Sequence, residues 1–490
     1  MKVNQSVEYR ERRQLLAGLG FILIVAFLVR LYLAVAFPSI HWPDEIFQYL
    51  EQAHRLVFKY GVIPWEYRDG TRSWLVPGFL AGLLKLSDLL NLSQPPAYLF
   101  LVAASLSAFS LSVVVVGFLW AYRTQGSIAA IITAALCAVW FELIYFAPKT
   151  LVEPIAANIL LIAVYLAYPG EPTGNKFRLL AAGLLFGLVV ALRVSLAPAV
   201  FVAAVYICRR RISDKWIPIF LGALLIFVLS GILDALTWQY PFQTFASNIW
   251  INVVENRSQM YGTQPWYYYG GKWIFIWQGA LIPIAIFSAV ALRKNLLLGL
   301  LAVTIVATHM VFAHKEYRFV FPAVPFIVIL AGLGTAEIFG YFQKNIKTRM
   351  KMIMAGAGVI VGWALVSGIL ATSSQFRQYW FRQADNIHAF DFLHNKSDIC
   401  GVGLVGVSWA NTAGYTHLHQ NVSITIPQSD VAASFPAYNY ALASPQELPV
   451  PWPYSKVRCF SDNVCVYHRD GPCKNVSGLE VNEVLKQRGQ

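Results

Sequence analysis

The feature that most limits what this chain can become is a recurrence of apolar runs too long for an ordinary soluble core. They lie near residues 15–37, 97–121, 127–146, 151–168, 179–208, 216–236, 273–292, 295–313, 319–341 and 352–372 of the 490-residue sequence. About 20 apolar residues cross a bilayer as a helix, and most of the runs are near that length. Only 13% of the residues are charged, where about 25% is usual for soluble domains. The chain is therefore expected to be a polytopic α-helical membrane protein. The first run follows the basic "YRERRQ". It is too long for a signal-peptide core and lacks a small-residue cleavage site, so it reads as a retained first transmembrane helix.

Run 179–208 is too long for one crossing, is interrupted by "LRVSLAP", and carries basic residues at both ends ("NKFR", "RRRISDK"). It reads as a hairpin turning near Arg193 and Pro198, which brings the count to about 11 transmembrane helices. With that parity the N-terminus, "YRTQ", "NKFR", "RRRISDK", "RKN" and "KNIKTRMK" all become cytoplasmic and collect 17 of the 38 Lys and Arg residues. A single crossing would place the last three clusters outside, against the positive-inside rule. Residues 38–96, 237–272, 314–318 and the tail after 373 then share the outer face.

The expected domains are a transmembrane catalytic domain, 1–372, whose first outer loop (38–96) carries amphipathic helices, and a periplasmic or lumenal C-terminal domain, 373–490. Short alternating runs such as "ICGVGLVGV" and "VSITIP" predict that the tail is a small α/β domain. Its four cysteines, Cys400, Cys459, Cys465 and Cys473, allow two disulfides in any of three pairings on an oxidising side. The formal net charge of +13 is distributed as topology clusters, so no nucleic-acid partner is expected.

Twelve Lys and Arg residues fall in or beside the membrane where topology does not ask for them, among them Arg30, Arg72, Arg193, Lys315 and Arg318. Basic groups converging at an outer surface suit an anionic head group, phosphate above all. The plainer reading is snorkelling and contact with anionic lipid. Arg30 and Arg193 sit inside apolar helices, where a charge is costly and has a partner. Pro43 is well placed to open a helix in which Asp44, Gln48, Gln52 and Arg55 form one stripe and Glu45, Tyr49 and Gln52 a neighbouring one. Carboxylates there either complement the helix dipole or, facing cations at a lipid surface, serve as a general base for a hydroxyl nucleophile. His41, Asp44 and Glu45, or Cys459, Cys465, His468 and Cys473, match no standard zinc spacing, so no metal is assigned. There is no P-loop, dinucleotide fingerprint or nucleophile elbow.

Six segments occur in a recognisable order: "HWPDEIFQYLEQAHRLVFKYGVIPWEYRDGTRS", "PKTLVEP" (148–154), "LRVSLAP", "DALTWQYPFQTFASN" (234–248), "YGTQPWYYY" (261–269) and "HKEYRFVFPAVPF" (314–326). From residue 20 to about 330 the chain resembles glycosyltransferase family 22. These are GT-C-fold mannosyltransferases that use a polyprenyl-phosphate mannose donor, and members with this kind of first segment act in glycosylphosphatidylinositol and N-glycan precursor assembly. The resemblance implies Asp44 as catalytic base with Glu45 beside it, and His314, Lys315 and Arg318 at the donor phosphate together with Arg72 and Arg193. It implies acceptor or supporting roles for His41, Gln48, Glu66, Glu153, Asp234 and Glu316. The "DALTWQYPFQ" segment lacks the family's glycine and "KTLVEP" departs from its "SN" before "EP", which bears on acceptor identity.

The expected function is transfer of mannose, or another hexose, from the lipid donor to a hydroxyl of a glycan or glycolipid, with inversion to an α-linkage. No cofactor is required beyond the lipid-linked substrate, and a monomer is expected. The location expected is a bacterial inner membrane with a periplasmic active site, the alternative being the endoplasmic reticulum with a lumenal one. The rival reading is a lipid-linked-sugar transporter or flippase. Transporters place polar sites at the midplane between repeats, whereas here polar residues gather toward one face and no repeat is visible.

Overall fold

The structure, a computed structural model, describes residues 2–167, 175–209, 212–343, 348–428, 430–448 and 452–489. Its residues form two compact units, 1–33 with 103–378 and 34–102 with 379–490. This differs from the linear division expected above, because the first outer loop belongs with the tail.

The first unit is helical. Six helices among the described residues are long and apolar enough to cross a membrane, and four shorter apolar helices accompany them. Span Tyr317–Phe342 is almost wholly buried and forms the centre, whereas Arg349–Thr372 and Glu11–Ala36 leave apolar side chains exposed. Arg30 is one of the buried charges of this unit. Its guanidinium donates to the carbonyls of Ala138 (3.0 Å), Cys137 (3.2 Å) and Ala26 (3.1 Å). It thereby caps the C-terminal end of helix Ser127–Val139, where the orphan carbonyls and the negative end of the dipole favour a cation. Arg30 thus acts as a structural cap.

Helix Lys176–Leu192 stops where Arg193 adopts an extended backbone (φ −147°, ψ 92°); a 3-10 turn, Val194–Leu196, follows, and Pro198 lies in the first turn of Ala197–Cys208. Helices 176–192 and Ile212–Thr237 touch through glycines: a Cβ on Gly187 would come within 2.8 Å of the Ala223 carbonyl, and one on Gly183 would collide with that of Ile219. Both contacts have the same offset in sequence, so these helices run parallel and the chain returns between them along 197–208. Small residues at such seams are how apolar helices approach closely without a hydrophobic drive between them.

The second unit builds on a five-stranded mixed sheet, with β1 Gly401–Val405, β2 Ser423–Thr425, β3 Tyr440–Ala443, β4 Ser455–Ser461 and β5 Val464–His468 in the order β2-β1-β3-β5-β4. The first three are mutually parallel, and the β4–β5 hairpin closes the edge antiparallel. Of the three possible cysteine pairings the structure has Cys400–Cys473 and Cys459–Cys465. These bonds consume the thiols that a zinc site in the tail would need. The segment after the first membrane helix opens at Pro43 as expected, but Glu45–Leu50 is a π-turn before the α-helix Glu51–Phe58. The helix closes at Lys59 in the left-handed region (φ 75°).

Candidate active site

In the first unit the "EP", "LRVSLAP" and "HKEYRF" segments meet. Glu153 stands at the start of helix Val152–Leu166 with its carboxylate fully buried. Its Oε1 lies 3.1 Å from a terminal nitrogen of Arg193 and 3.7 Å from one of Arg318. These are ion pairs without hydrogen-bond alignment, since neither Glu153 oxygen has a hydrogen-bonded partner among the described residues. Arg193 is delivered by the helix break, and Arg318 by the 3-10 turn Tyr317–Ala323, which Pro322 favours by lacking an N–H. The other side of Arg318 is held by Glu316, whose Oε2 accepts from Nε at 2.5 Å, while Glu316 Oε1 faces His314 Nε2 at 2.9 Å. Phe319 carries both guanidinium groups on its ring, at 4.7 Å (Arg193) and 5.2 Å (Arg318).

The turn is tied to the loop before it. His314 Nδ1 lies 2.9 Å from the Gly262 carbonyl, Lys315 donates to the carbonyls of Gln264 (3.1 Å) and Phe312, and Gln264 N–H donates to Ala313 (2.9 Å). Burial pushes the Glu316 carboxyl up, but Arg318 and His314 outweigh it and hold it below its ordinary value. The hydrogen bond to Glu316 raises the His314 imidazole above its ordinary value, against burial. Arg193, Arg318 and Lys315 exceed Glu153 and Glu316 by one positive charge before His314 is counted. An apolar helical body that holds such a cluster is arranged to receive an anion.

The remaining candidate of this unit, Asp234, lies elsewhere. Its Oδ2 accepts from the Thr244 N–H (2.9 Å) and hydroxyl (2.6 Å), fixing the turn after helix 212–237.

The second unit gathers the other candidates. The π-turn moves the polar stripe off the simple helical spacing: Gln48 donates to Glu66 (2.8 Å), whereas Gln52 donates to the carbonyls of Phe47 (2.6 Å) and Val62 (3.1 Å). Arg55 remains joined to Gln52, donating to its side-chain oxygen at 2.5 Å. Glu45 reaches back to accept from the His41 N–H (2.9 Å), a self-capping contact that fixes the turn into the helix. Asp44 is half-buried and stays on the accessible side of its neighbours. Glu66 is buried; burial lifts its carboxyl to about 7, with Arg72 opposing and Asp44 reinforcing the shift. Arg72, expected at the donor phosphate with Arg193, is thus a neighbour of Glu66 in the second unit.

The profile of the Alg9-like mannosyltransferases matches residues 21–419. This chain belongs to the Alg9-like mannosyltransferase family. Relatives of this Alg9-like chain include the GPI alpha-1,2-mannosyltransferase 3 of Danio rerio, 26% identical over 358 residues, covering 68% of this chain and 65% of that protein. Mannosyltransferase APTG1 of Arabidopsis thaliana is 26% identical over 361 residues, covering 70% of this chain and 62% of that one. The chain thus spans slightly under two thirds of these curated relatives' lengths. Among solved structures, ArnT from Cupriavidus metallidurans bound to undecaprenyl phosphate superposes with a TM-score of 0.64 at 12% identity, covering 93% of this chain and 99% of that one. The oligosaccharyltransferase of Archaeoglobus fulgidus gives 0.50 at 11% identity, covering 87% and 69%. The Alg9-like chain therefore has the GT-C fold and is a multi-pass membrane protein.

Two residues of this Alg9-like chain matter to the site and escaped the sequence. Glu142, fully buried, accepts from Trp277 Nε1 (2.7 Å), Trp140 Nε1 (3.3 Å) and the Tyr317 hydroxyl, and so anchors the residue beside Arg318. A carboxylate inside "AVWFELIYF" was the available signal, since a charge in an apolar run is costly. Glu51 accepts four hydrogen bonds within the second unit, three of them from residues more than 360 positions away in sequence.

Proposed function

We propose that the protein transfers mannose from a polyprenyl-phosphate donor to a hydroxyl of a glycan or glycolipid. The observation that carries this is the Glu153–Arg193–Arg318–Glu316 cluster together with Lys315, an excess of one fixed positive charge in an apolar helical body of a mannosyltransferase family. The acceptor oxygen bonds to the anomeric carbon as that carbon's bond to the phosphate oxygen breaks. The Asp44 carboxylate takes the hydroxyl proton, and the bonding pair leaves with the lipid phosphate, whose growing charge Arg193 and Arg318 neutralise. One displacement inverts the centre and gives an α-glycoside from a β-linked donor. The scheme routes no step through a metal. The outer face of a bacterial inner membrane is the proposed location. ArnT, with undecaprenyl phosphate bound, supports a lipid phosphate as a ligand compatible with this fold.

The test is Asp44→Asn, assayed with radiolabelled polyprenyl-phosphate mannose in membranes. General-base loss should lower transfer by at least about 100-fold, with folding and lipid binding retained. Near wild-type transfer by this variant would remove Asp44 from the role.

A further inference from the structure

The stretch "YGTQPWYYY" has so far supplied only backbone groups, and its last residue is the unusual one. Tyr269, in the first turn of helix Tyr268–Trp277, is fully buried, yet its hydroxyl has no hydrogen-bond partner among the described residues. Buried tyrosine and tryptophan heads ordinarily find partners, as Tyr317 and Trp277 do on Glu142. One turn along the same face, the indole N–H of Trp273 is also buried and unpartnered, as is Nε of Arg193. Trp273 stacks on Trp277 (ring centroids 5.5 Å apart), and the helix packs against the 317–323 turn that carries Arg318. That packing brings this face of the helix beside the turn that holds the cation cluster.

Indole N–H and guanidinium Nε only donate, and a phenol donates readily. Unpartnered donors beside a cation cluster match an acceptor-rich ligand such as a phosphate better than a sugar, whose hydroxyls also need acceptors. We propose that the Tyr269 hydroxyl donates a hydrogen bond to a non-bridging oxygen of the donor's phosphate, beside Arg193, with Trp273 Nε1 as a second neutral donor on the same helix face. The inference rests on the reading of the chain as a lipid-phosphate-sugar transferase. It adds two uncharged phosphate contacts to the charged ones.

The experiment is binding of a polyprenyl phosphate and of the matching polyprenyl alcohol to full-length purified protein, wild type against Tyr269→Phe and Trp273→Phe. Thermal unfolding of the unliganded protein and mannose transfer are measured alongside. Tyr269→Phe removes a hydroxyl with no partner among the described residues, so unfolding of the free protein should be unchanged or slightly higher in temperature. Affinity for the phosphate should fall about tenfold, one hydrogen bond to a charged group, with a smaller fall for Trp273→Phe and no change for the alcohol. Unchanged affinity of Tyr269→Phe for the phosphate, or an equal loss for the alcohol, overturns the contact. Wild type that binds the phosphate lipid without transferring mannose sinks the transferase reading and leaves the contact standing. Wild type that does not bind the lipid sinks both.

Discussion

Replacing Glu51 should loosen the second unit more than any other single carboxylate change. Its Oε1 accepts from the N–H groups of Val62 (2.9 Å) and Tyr415 (3.1 Å), and its Oε2 from the N–H (2.9 Å) and hydroxyl (2.7 Å) of Thr416. The residue has no exposed surface, so water does not replace these contacts. Burial pushes its carboxyl up while the four donors pull it down. Glu51→Ala strands four donors, each costing about 1 kcal/mol at the low end of the range for a buried unpaired group, or about 4 kcal/mol together. For a unit of this size that corresponds to a fall of roughly 8–16 °C in unfolding temperature. Glu51→Gln keeps one acceptor oxygen but turns an amide NH2 toward donors, so about half that loss is expected. Thermal unfolding with limited proteolysis of the tail reads the effect. Because Glu51 joins the segment that bears Asp44 to residues 415–416, transfer should fall with it. A Glu51→Ala protein that unfolds within about 2 °C of wild type, with an equally resistant tail, would refute the reasoning.

Glu66 should give the second unit a pH-dependent stability. Its folded value of about 7 lies above the ordinary 4.5, so the folded state keeps a proton that the unfolded state has released. The contribution is therefore full below about pH 4.5 and is lost as pH rises through 7, by at most about 3 kcal/mol; Glu66→Gln should flatten unfolding measured at pH 5 and 8, and an unchanged slope would assign it to another group. Glu142→Ala should raise the KM for the lipid donor about tenfold, a 1.4 kcal/mol loss, because Tyr317 beside Arg318 loses its acceptor; an unaltered KM would separate Glu142 from the site.

The membrane helices were legible because their signal is local: twenty apolar residues in a row mean one thing in water. The break at Arg193 was legible for the same reason, from basic residues at both ends of a run too long for one crossing. What the sequence hid was partner choice. Arg30 and Arg193 look alike as lone cations in apolar runs, yet one caps a helix through carbonyls 107 and 108 positions away and the other pairs with Glu153. The π-turn at 45–50 displaced a polar stripe inferred from 3.6-residue spacing, since one wide turn rotates everything after it. The cysteine pairing, over 73 and 6 positions, and the grouping of the first outer loop with the tail, through contacts more than 360 positions apart, depend on tertiary contacts that periodicity does not report.

The arrangement of charge at the cluster bears on why both guanidinium groups are held by carboxylates at all. Bare cations in an apolar body would be prohibitively costly, and fully neutralised ones would not attract a phosphate. Glu153 and Glu316 fix and neutralise the two heads, while Lys315 on the neighbouring carbonyls leaves an excess of one positive charge, which His314 raises to two when protonated. A sugar phosphodiester carries one negative charge, and the phosphate monoester released from it carries up to two. On the proposed reaction the cluster therefore matches the departing group better than the intact donor. The interaction strengthens as the bond to the sugar breaks, and that difference lowers a barrier where equal attraction to both states would only tighten binding.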